Sequence, residues 1–278
     1  MTAMSPTGQG RKRAPRHPPE LWRIPVLRTE PVTPRMVRIT VGGPALASFP
    51  GGGGDQHVVL YFYDEGVTLP EPLTLTSARV HFATARPQMR SYTVRRHDPL
   101  THELDIDFVL HGGEGGTGHD GGPGSSWAAR ARPGDDLIVV GPSPAYQPDP
   151  QVARHLFVGD ETALPAIAGL LAELPPTASA RVVAEVTDPT EQQPLPSPAG
   201  VEVTWSHRGE QPAGDADRLL AAVRELDLGG PADLAVWGAG ERTAMLALRS
   251  WLLAEGGLVR GQVRTTAYWR KGHTGTTG

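Results

Sequence analysis

Cysteine is absent from this 278-residue sequence. Its absence excludes disulfides, thiolate metal sites, Cys-ligated iron–sulfur clusters and Cys nucleophiles. Lysine is nearly absent: of 26 basic residues only Lys12 and Lys271 are lysines. The cations are therefore arginines, whose planar fork binds phosphate or carboxylate through paired hydrogen bonds. No apolar run reaches the roughly 18–20 residues of a membrane span. Residues 1–19 are polar, basic and proline-rich, with no apolar signal core. They read as a disordered tail, and the chain reads as cytoplasmic, with no membrane insertion. A net charge of −4 leaves no overall basic footprint for nucleic acid. No G-x-S-x-G elbow occurs, which removes the Ser–His–Asp hydrolase reading.

What is present falls into two patterns. Residues 22–27, 36–41, 57–63, 90–96, 104–110 and 136–140 are six short strand candidates separated by Gly- and Pro-rich turns. They predict an antiparallel six-stranded β-barrel. One helix is expected there, at 125–132, ended by Pro133-Gly134-Asp135. Four prolines within 142–150 read as a stiff connector. Beyond it, strands at 155–158, 181–186, 201–205, 234–237 and 262–268 alternate with helices at 161–174, 216–226 and 241–254. That alternation predicts a parallel-sheet α/β domain. The expected boundaries are 20–147 for the barrel domain and 152–278 for the α/β domain.

Arg90-Ser91-Tyr92-Thr93 joins a cation, an aromatic face and hydroxyls at the start of a strand. A flavin dinucleotide presents matching surfaces: a charged pyrophosphate, a flat ring and a polar ribityl chain. Solvated strand residues are the plain alternative. The Gly-rich run from His111 to Trp127 follows a strand and leads into a helix, where freed backbone N–H groups suit an anion. Within it, Gly122-Pro123-Gly124-Ser125-Ser126 is read as phosphate-binding, with helix capping as the alternative. Residues 116–121 spell G-x-G-x-x-G but lack a βαβ setting, so the match is read as chance. His111, Glu114, His119 and Asp120 follow no metal-ligand spacing, and no metal is expected. Asp160, Thr162 and Ala163 stand at a strand–helix junction where open α/β sheets bind ligands. Gly238, Gly240 and Glu241 stand at another, where a tight turn is the alternative to cofactor contact. Tyr268-Trp269-Arg270 closes the last strand, and its two adjacent aromatics cannot share one face.

The stretches RSYTVRR (90–96), DFVLHG (107–112), GPGSSWAARARPGD (122–135), GDETALPAI (159–167), WSHR (205–208), VWGAGE (236–241) and YWRKG (268–272) resemble, in order, the siderophore-interacting protein family. This is a branch of the ferredoxin–NADP reductase-like flavoproteins. The resemblance implies FAD on the barrel and NADH or NADPH at the α/β domain. It implies that Arg90, Ser91, Tyr92, Thr93, His111 and Gly122 to Ser126 hold the flavin nucleotide. Asp160, Thr162 and Ala163 would lie near the flavin ring. Arg208, Gly240 and Glu241 would meet the nicotinamide nucleotide. Val59, Ser143, Tyr268, Trp269 and Arg270 would line the substrate pocket.

The implied activity is NAD(P)H-linked, FAD-dependent reduction of ferric siderophores, a small-molecule substrate. Three departures from the family pattern stand out. Val59 replaces a common lysine, Ser143 replaces a common arginine, and residues 112–121 form a longer Gly-rich insertion. A pocket with fewer cations attracts an anionic iron complex less well. Two alternatives therefore stay open: a tailoring redox enzyme for an organic small molecule, and a flavin- or siderophore-binding protein without turnover.

Overall fold

The computed structural model describes residues 18–111, 122–143 and 146–273. The expected tail and the Gly-rich insertion, with Glu114, His119 and Asp120, lie outside the described residues, Pro18 and Pro19 excepted.

The amino-terminal domain is an antiparallel sheet of seven strands, not a closed barrel of six. The strands are β1 (Glu20–Thr33), β2 (Met36–Gly42), β3 (His57–Phe62), β4 (Gln88–Thr93), β5 (Arg96–Asp98), β6 (Glu103–Val109) and β7 (Asp136–Ser143). Their order is β4-β3-β7-β1-β2-β6-β5. The extra strand arises because the expected strand at 90–96 divides. β4 pairs with β3, whereas β5 pairs with β6. Between them, the Val94 N–H binds Gln56 O and the Arg95 N–H binds Asp105 O. The two ends of the sheet are thus joined by two residues, so the sheet curls round one core.

Period-two alternation fills that core. Trp22, Ile24 and Val26 of β1, Leu104, Ile106 and Phe108 of β6, and Val58 and Leu60 of β3 all point into it. Asp105 and Asp107 face outward, yet cross-strand partners cover them. Arg38 grips Asp107 through Nε and Nη2 at 2.7 and 2.8 Å, and Thr40 and Arg96 each reach Asp105 at 2.7 Å. Opposite charges facing each other across a ladder stabilise it modestly.

Among the described residues two α-helices and a short 3-10 turn (Pro44–Ser48) lie in this domain, where one helix was expected. α1 (Leu75–His81) begins in a Pro-rich stretch and is started by a capping box between Thr74 and Ser77. α2 (Pro123–Ala128) starts two residues before the expected helix, with Pro123 in its first turn, and ends four residues earlier. The expected connector begins later than its first proline, because β7 carries Pro142 to its end.

The second domain is a five-stranded parallel sheet in the order β10-β9-β8-β11-β12. Its strands are β8 (Arg154–Asp160), β9 (Ser179–Val186), β10 (Gly200–His207), β11 (Leu234–Glu241) and β12 (Val263–Trp269). α3 (Leu164–Ala172) covers one face, and α4 (Ala216–Arg224) and α5 (Arg242–Ala254) cover the other. Among the described residues no helix is long and apolar enough to cross a membrane.

The domains meet backbone to backbone. Gly54, in the loop before β3, presses on Gly169 of α3. A Cβ on Gly54 would lie 2.2 Å from the Gly169 carbonyl carbon. Neither backbone can yield, so Gly54→Ala is expected to destabilise the protein by roughly 1–3 kcal/mol. Gly51→Ala, whose Cβ meets only His97 Nδ1 at 3.5 Å, should cost far less. Thermal unfolding of both variants checks this, and equal melting temperatures would contradict it.

Candidate functional site

The register of β3 and β4 sorts the Arg90–Thr93 stretch onto two faces. Arg90 and Tyr92 pair with Leu60 and Val58, on the core side. Ser91 pairs with Val59, on the other. The Tyr92 ring lies 4.3 Å from that of Phe108, and its hydroxyl abuts α2. A Cβ on Gly124 would lie 2.0 Å from that hydroxyl, so only glycine admits Tyr92 there. Burial lowers the Arg90 guanidinium pKa, and Nη1 binds Met89 O at 2.8 Å.

The same helix gathers the expected phosphate turn. Ser125 is buried, and its Oγ accepts the His111 N–H at 2.9 Å. Gly122, Pro123 and Ser126 border a cavity of about 730 Å3, with Gln88 of β4, Trp127 and Tyr63. The Tyr63 hydroxyl is buried without a hydrogen-bond partner. Arg90, Tyr92 and the phosphate turn are thus neighbours, as a dinucleotide requires.

At its far end β4 reaches the second domain. Thr93 is buried, and its hydroxyl interacts with that of Tyr268 on β12. Tyr268 Oη donates to Asp55 Oδ1 at 2.9 Å. Burial, reinforced by the Asp55 carboxylate, raises the Tyr268 phenol well above its ordinary range. Trp269, the next residue, points the other way, and its Nε1 donates to Asp160 Oδ2 at 2.7 Å.

Asp160 ends β8 and is buried. The Thr162 N–H and hydroxyl bind its Oδ1, and the Glu241 N–H binds its Oδ2 at 3.1 Å. Gly240 backs directly onto the same carboxyl group. Burial, followed by the neighbouring Glu161 charge, pushes the Asp160 pKa up to about 6, against the pull of the Thr162 and Trp269 hydrogen bonds. Ala163 is buried against this junction as the residue before α3.

Several expected contacts are already engaged within the protein. Arg208 holds Glu161 bidentately at 2.6 and 2.8 Å, both largely buried, instead of presenting a free fork to a nucleotide phosphate. Glu241 caps α5, accepting the Thr243 and Ala244 N–H groups, and also takes the Lys271 N–H. In the expected substrate pocket, Val59 packs with Tyr61, Ile138 and Val140. Ser143 stands opposite His57, and Arg270 is exposed.

Sequence reasoning missed Asp55, Glu161 as the partner of Arg208, and Glu185. Glu185, next to last in β9, pairs with Asp160 and is 2 % exposed. Arg218 contacts its Oε2 at 3.3 Å, while Oε1 has no hydrogen-bond partner. An acidic residue at the carboxyl end of a parallel strand was the available signal.

The family model described as siderophore-interacting FAD-binding domain matches residues 25–146, and the one described as siderophore-interacting protein matches residues 152–272. The chain belongs to the siderophore-interacting protein family. It is 37% identical over 267 residues to an uncharacterised protein of Mycobacterium tuberculosis, covering 91% of this chain and 92% of that one. It is 34% identical to the NADPH-dependent ferric-chelate reductase of Escherichia coli, covering 88% of this chain and 91% of the reductase. The crystal structure of a siderophore utilization protein from T. fusca superposes with a TM-score of 0.79 at 36% identity, covering 93% and 96% of the two chains.

Burial is the largest cause raising the Glu185 pKa, to about 7 from 4.5, and Arg218 opposes it. Between those values the folded protein holds a proton that the unfolded chain has released. The stabilisation is complete below about 4.5 and is lost as pH rises through about 7. Glu185→Gln mimics the protonated form. It is expected to gain on the order of 2 kcal/mol over wild type at pH 8 and little at pH 4.5. Denaturant unfolding at both pH values measures this, and a gain independent of pH would contradict it.

Proposed function

We propose that this protein is an FAD-dependent NAD(P)H oxidoreductase that reduces ferric siderophores. The observation that carries the reading is the position of Arg90–Thr93. Tyr92 closes on the Gly124 turn beside a large cavity, and the next residue, Thr93, meets Tyr268 of the α/β domain. A cofactor lying along it would touch both domains.

The residues fit FAD. Gly124 lets the Tyr92 ring reach α2, and Gly122, Pro123 and Ser126 of the same turn border the cavity. Arg90 supplies a fork for the pyrophosphate, with the turn from Gly122 to Ser126 and His111 on the same side. Bound flavin takes up a hydride and passes on single electrons. Asp160, Thr162 and Ala163 shape the wall where the nicotinamide approaches, and Trp269 is fixed against that wall. Gly240 and Glu241 hold the adjoining junction. Arg208 reaches a nucleotide phosphate only by giving up Glu161. The Escherichia coli relative, named as an NADPH-dependent ferric-chelate reductase, supports the same assignment.

We place the FAD-binding domain at 20–147 and the nucleotide-binding domain at 152–278. A reductant of the NAD(P)H type puts the enzyme in the cytoplasm. A second reading keeps the flavin and changes the acceptor to an organic small molecule. The apolar packing of Val59 and the hydroxyl at Ser143 favour it, because neither supplies charge to an anionic iron complex.

Purified protein is expected to bind FAD, to be reduced anaerobically by NADH or NADPH, and to reoxidise on addition of a ferric siderophore. Failure to take up FAD would sink the proposal. A reducible flavin that no ferric siderophore in a panel reoxidises would select the second reading, and binding without reduction would mark a protein without turnover. Arg90→Ala should weaken FAD affinity at least tenfold, since a hydrogen bond to a charged group contributes about 1.5–3 kcal/mol. Gly124→Ala should do likewise by displacing Tyr92. Fluorescence titration with FAD measures both.

A further inference from the structure

We propose that Asp55 is a positioning residue that sets the register of the two domains for hydride transfer. The inference rests on the functional reading above. Asp55 follows the four glycines at 51–54 and precedes β3, and it is 6 % exposed. No arginine or lysine forms an ion pair with it among the described residues. The electrostatic pull on it comes from His57 and Arg264. Burying a carboxylate without a direct ion pair is costly, so its remaining contacts must offset that cost.

Those contacts come from two other parts of the chain. Oδ1 accepts the Tyr268 hydroxyl at 2.9 Å, and Oδ2 accepts the Tyr146 N–H at 3.4 Å. Tyr268 ends the last strand of the α/β domain, and Tyr146 lies between the domains. Asp55 itself belongs to the antiparallel domain, beside the Gly54–Gly169 contact. A single carboxylate therefore joins both domains and the segment between them.

The same hydroxyl of Tyr268 interacts with Thr93, on the strand that faces the flavin. The next residue, Trp269, is pinned to Asp160 on the opposite face of β12. The end of β12 is thus held by one carboxylate on each side: Asp55 from the flavin-binding domain and Asp160 from the nucleotide-binding domain. A shift at Asp55 moves Thr93 and Trp269 relative to each other. Hydride transfer needs reacting atoms about 3–3.5 Å apart, and a misplacement near 1 Å can cost about a hundredfold.

Asp55→Asn keeps the size of the side chain but leaves one acceptor oxygen in place of two. It cannot serve both Tyr268 and the Tyr146 amide. Tyr268→Phe removes the donor alone. In the FAD-loaded full chain, each variant is expected to slow anaerobic flavin reduction by the preferred nucleotide at least tenfold. FAD affinity should stay within about threefold, and reduction by sodium dithionite should be unchanged. The double variant should be no slower than the slower single one. In the FAD-free protein, Asp55→Asn should speed amide hydrogen exchange at residues 52–57 and 264–268.

Wild-type reduction rates in Asp55→Asn would overturn the proposal. So would a loss that appears equally with dithionite and in FAD affinity, which would mark a purely structural role. Unchanged hydrogen exchange would overturn the domain-register role without touching the functional reading. If neither nucleotide reduces wild-type protein, the functional reading falls, and the role of Asp55 in transfer falls with it.

Discussion

Asp55 and Gly54 lie side by side where the antiparallel domain meets the α/β domain, and the rest of the site is referred to that contact. Gly54 brings two backbones within van der Waals range, which no side chain allows. Asp55 then supplies directional bonds at the distance so fixed. The two effects differ in kind. Close packing sets how near the domains stand and is insensitive to small rotations. Hydrogen bonds to a buried carboxylate weaken steeply with angle, so they set the orientation. Together they hold β4 and β12 in one geometry, although each belongs to its own core.

The carboxyl end of the parallel sheet shows how expensive groups are kept there. Asp160, Glu161, Glu185 and Glu241 are all buried. Each is handled differently: Glu161 is neutralised by Arg208, Glu241 caps α5, and Asp160 collects donors from three segments. Glu185 alone keeps an unpartnered oxygen. Such a site is sensitive to any added negative charge, because burial already raises the pKa of two of its four carboxyl groups. A nucleotide phosphate that approached Arg208 would release Glu161 into this crowded region.

Much of this was legible in the sequence, and the reasons are local. Alternation at 22–27 and 104–110 needs only period two, and helices after 160 and 240 follow strands that end in turn-forming residues. The Arg90–Thr93 stretch and the Gly122–Ser126 turn were readable because each carries its chemistry within five residues. Their adjacency was not readable, since it depends on Gly124 admitting Tyr92 across the fold. The division of residues 90–96 into two strands escaped notice because both halves alternate alike, and only their different partners separate them. α1 was hidden by the prolines just before it, Pro70 and Pro72, although the Thr74–Ser77 capping box was in view. Asp55 gave no local signal, because its partners stand 91 and 213 residues away.

The same reasoning bears on the acceptor. Arg90 and Tyr92 lie on one face of β4, and Ser91 lies on the other beside Val59. Thr93 shares that second face with Ser91, and there Val59, Tyr61, Ile138 and Val140 form a cluster that Leu69, Leu75 and Phe82 already cover. The apolar cluster is thus packing within the domain. The charges that matter to an anion lie round the cavity that Tyr61 and Ile138 also border: Arg23 and Arg130 against Asp64, Glu65 and Asp136. Arg23 is already bound by Asp136 at 2.7 Å. With its cations offset by carboxylates, the cavity exerts little long-range attraction on an anion, so binding there must come from short-range contacts.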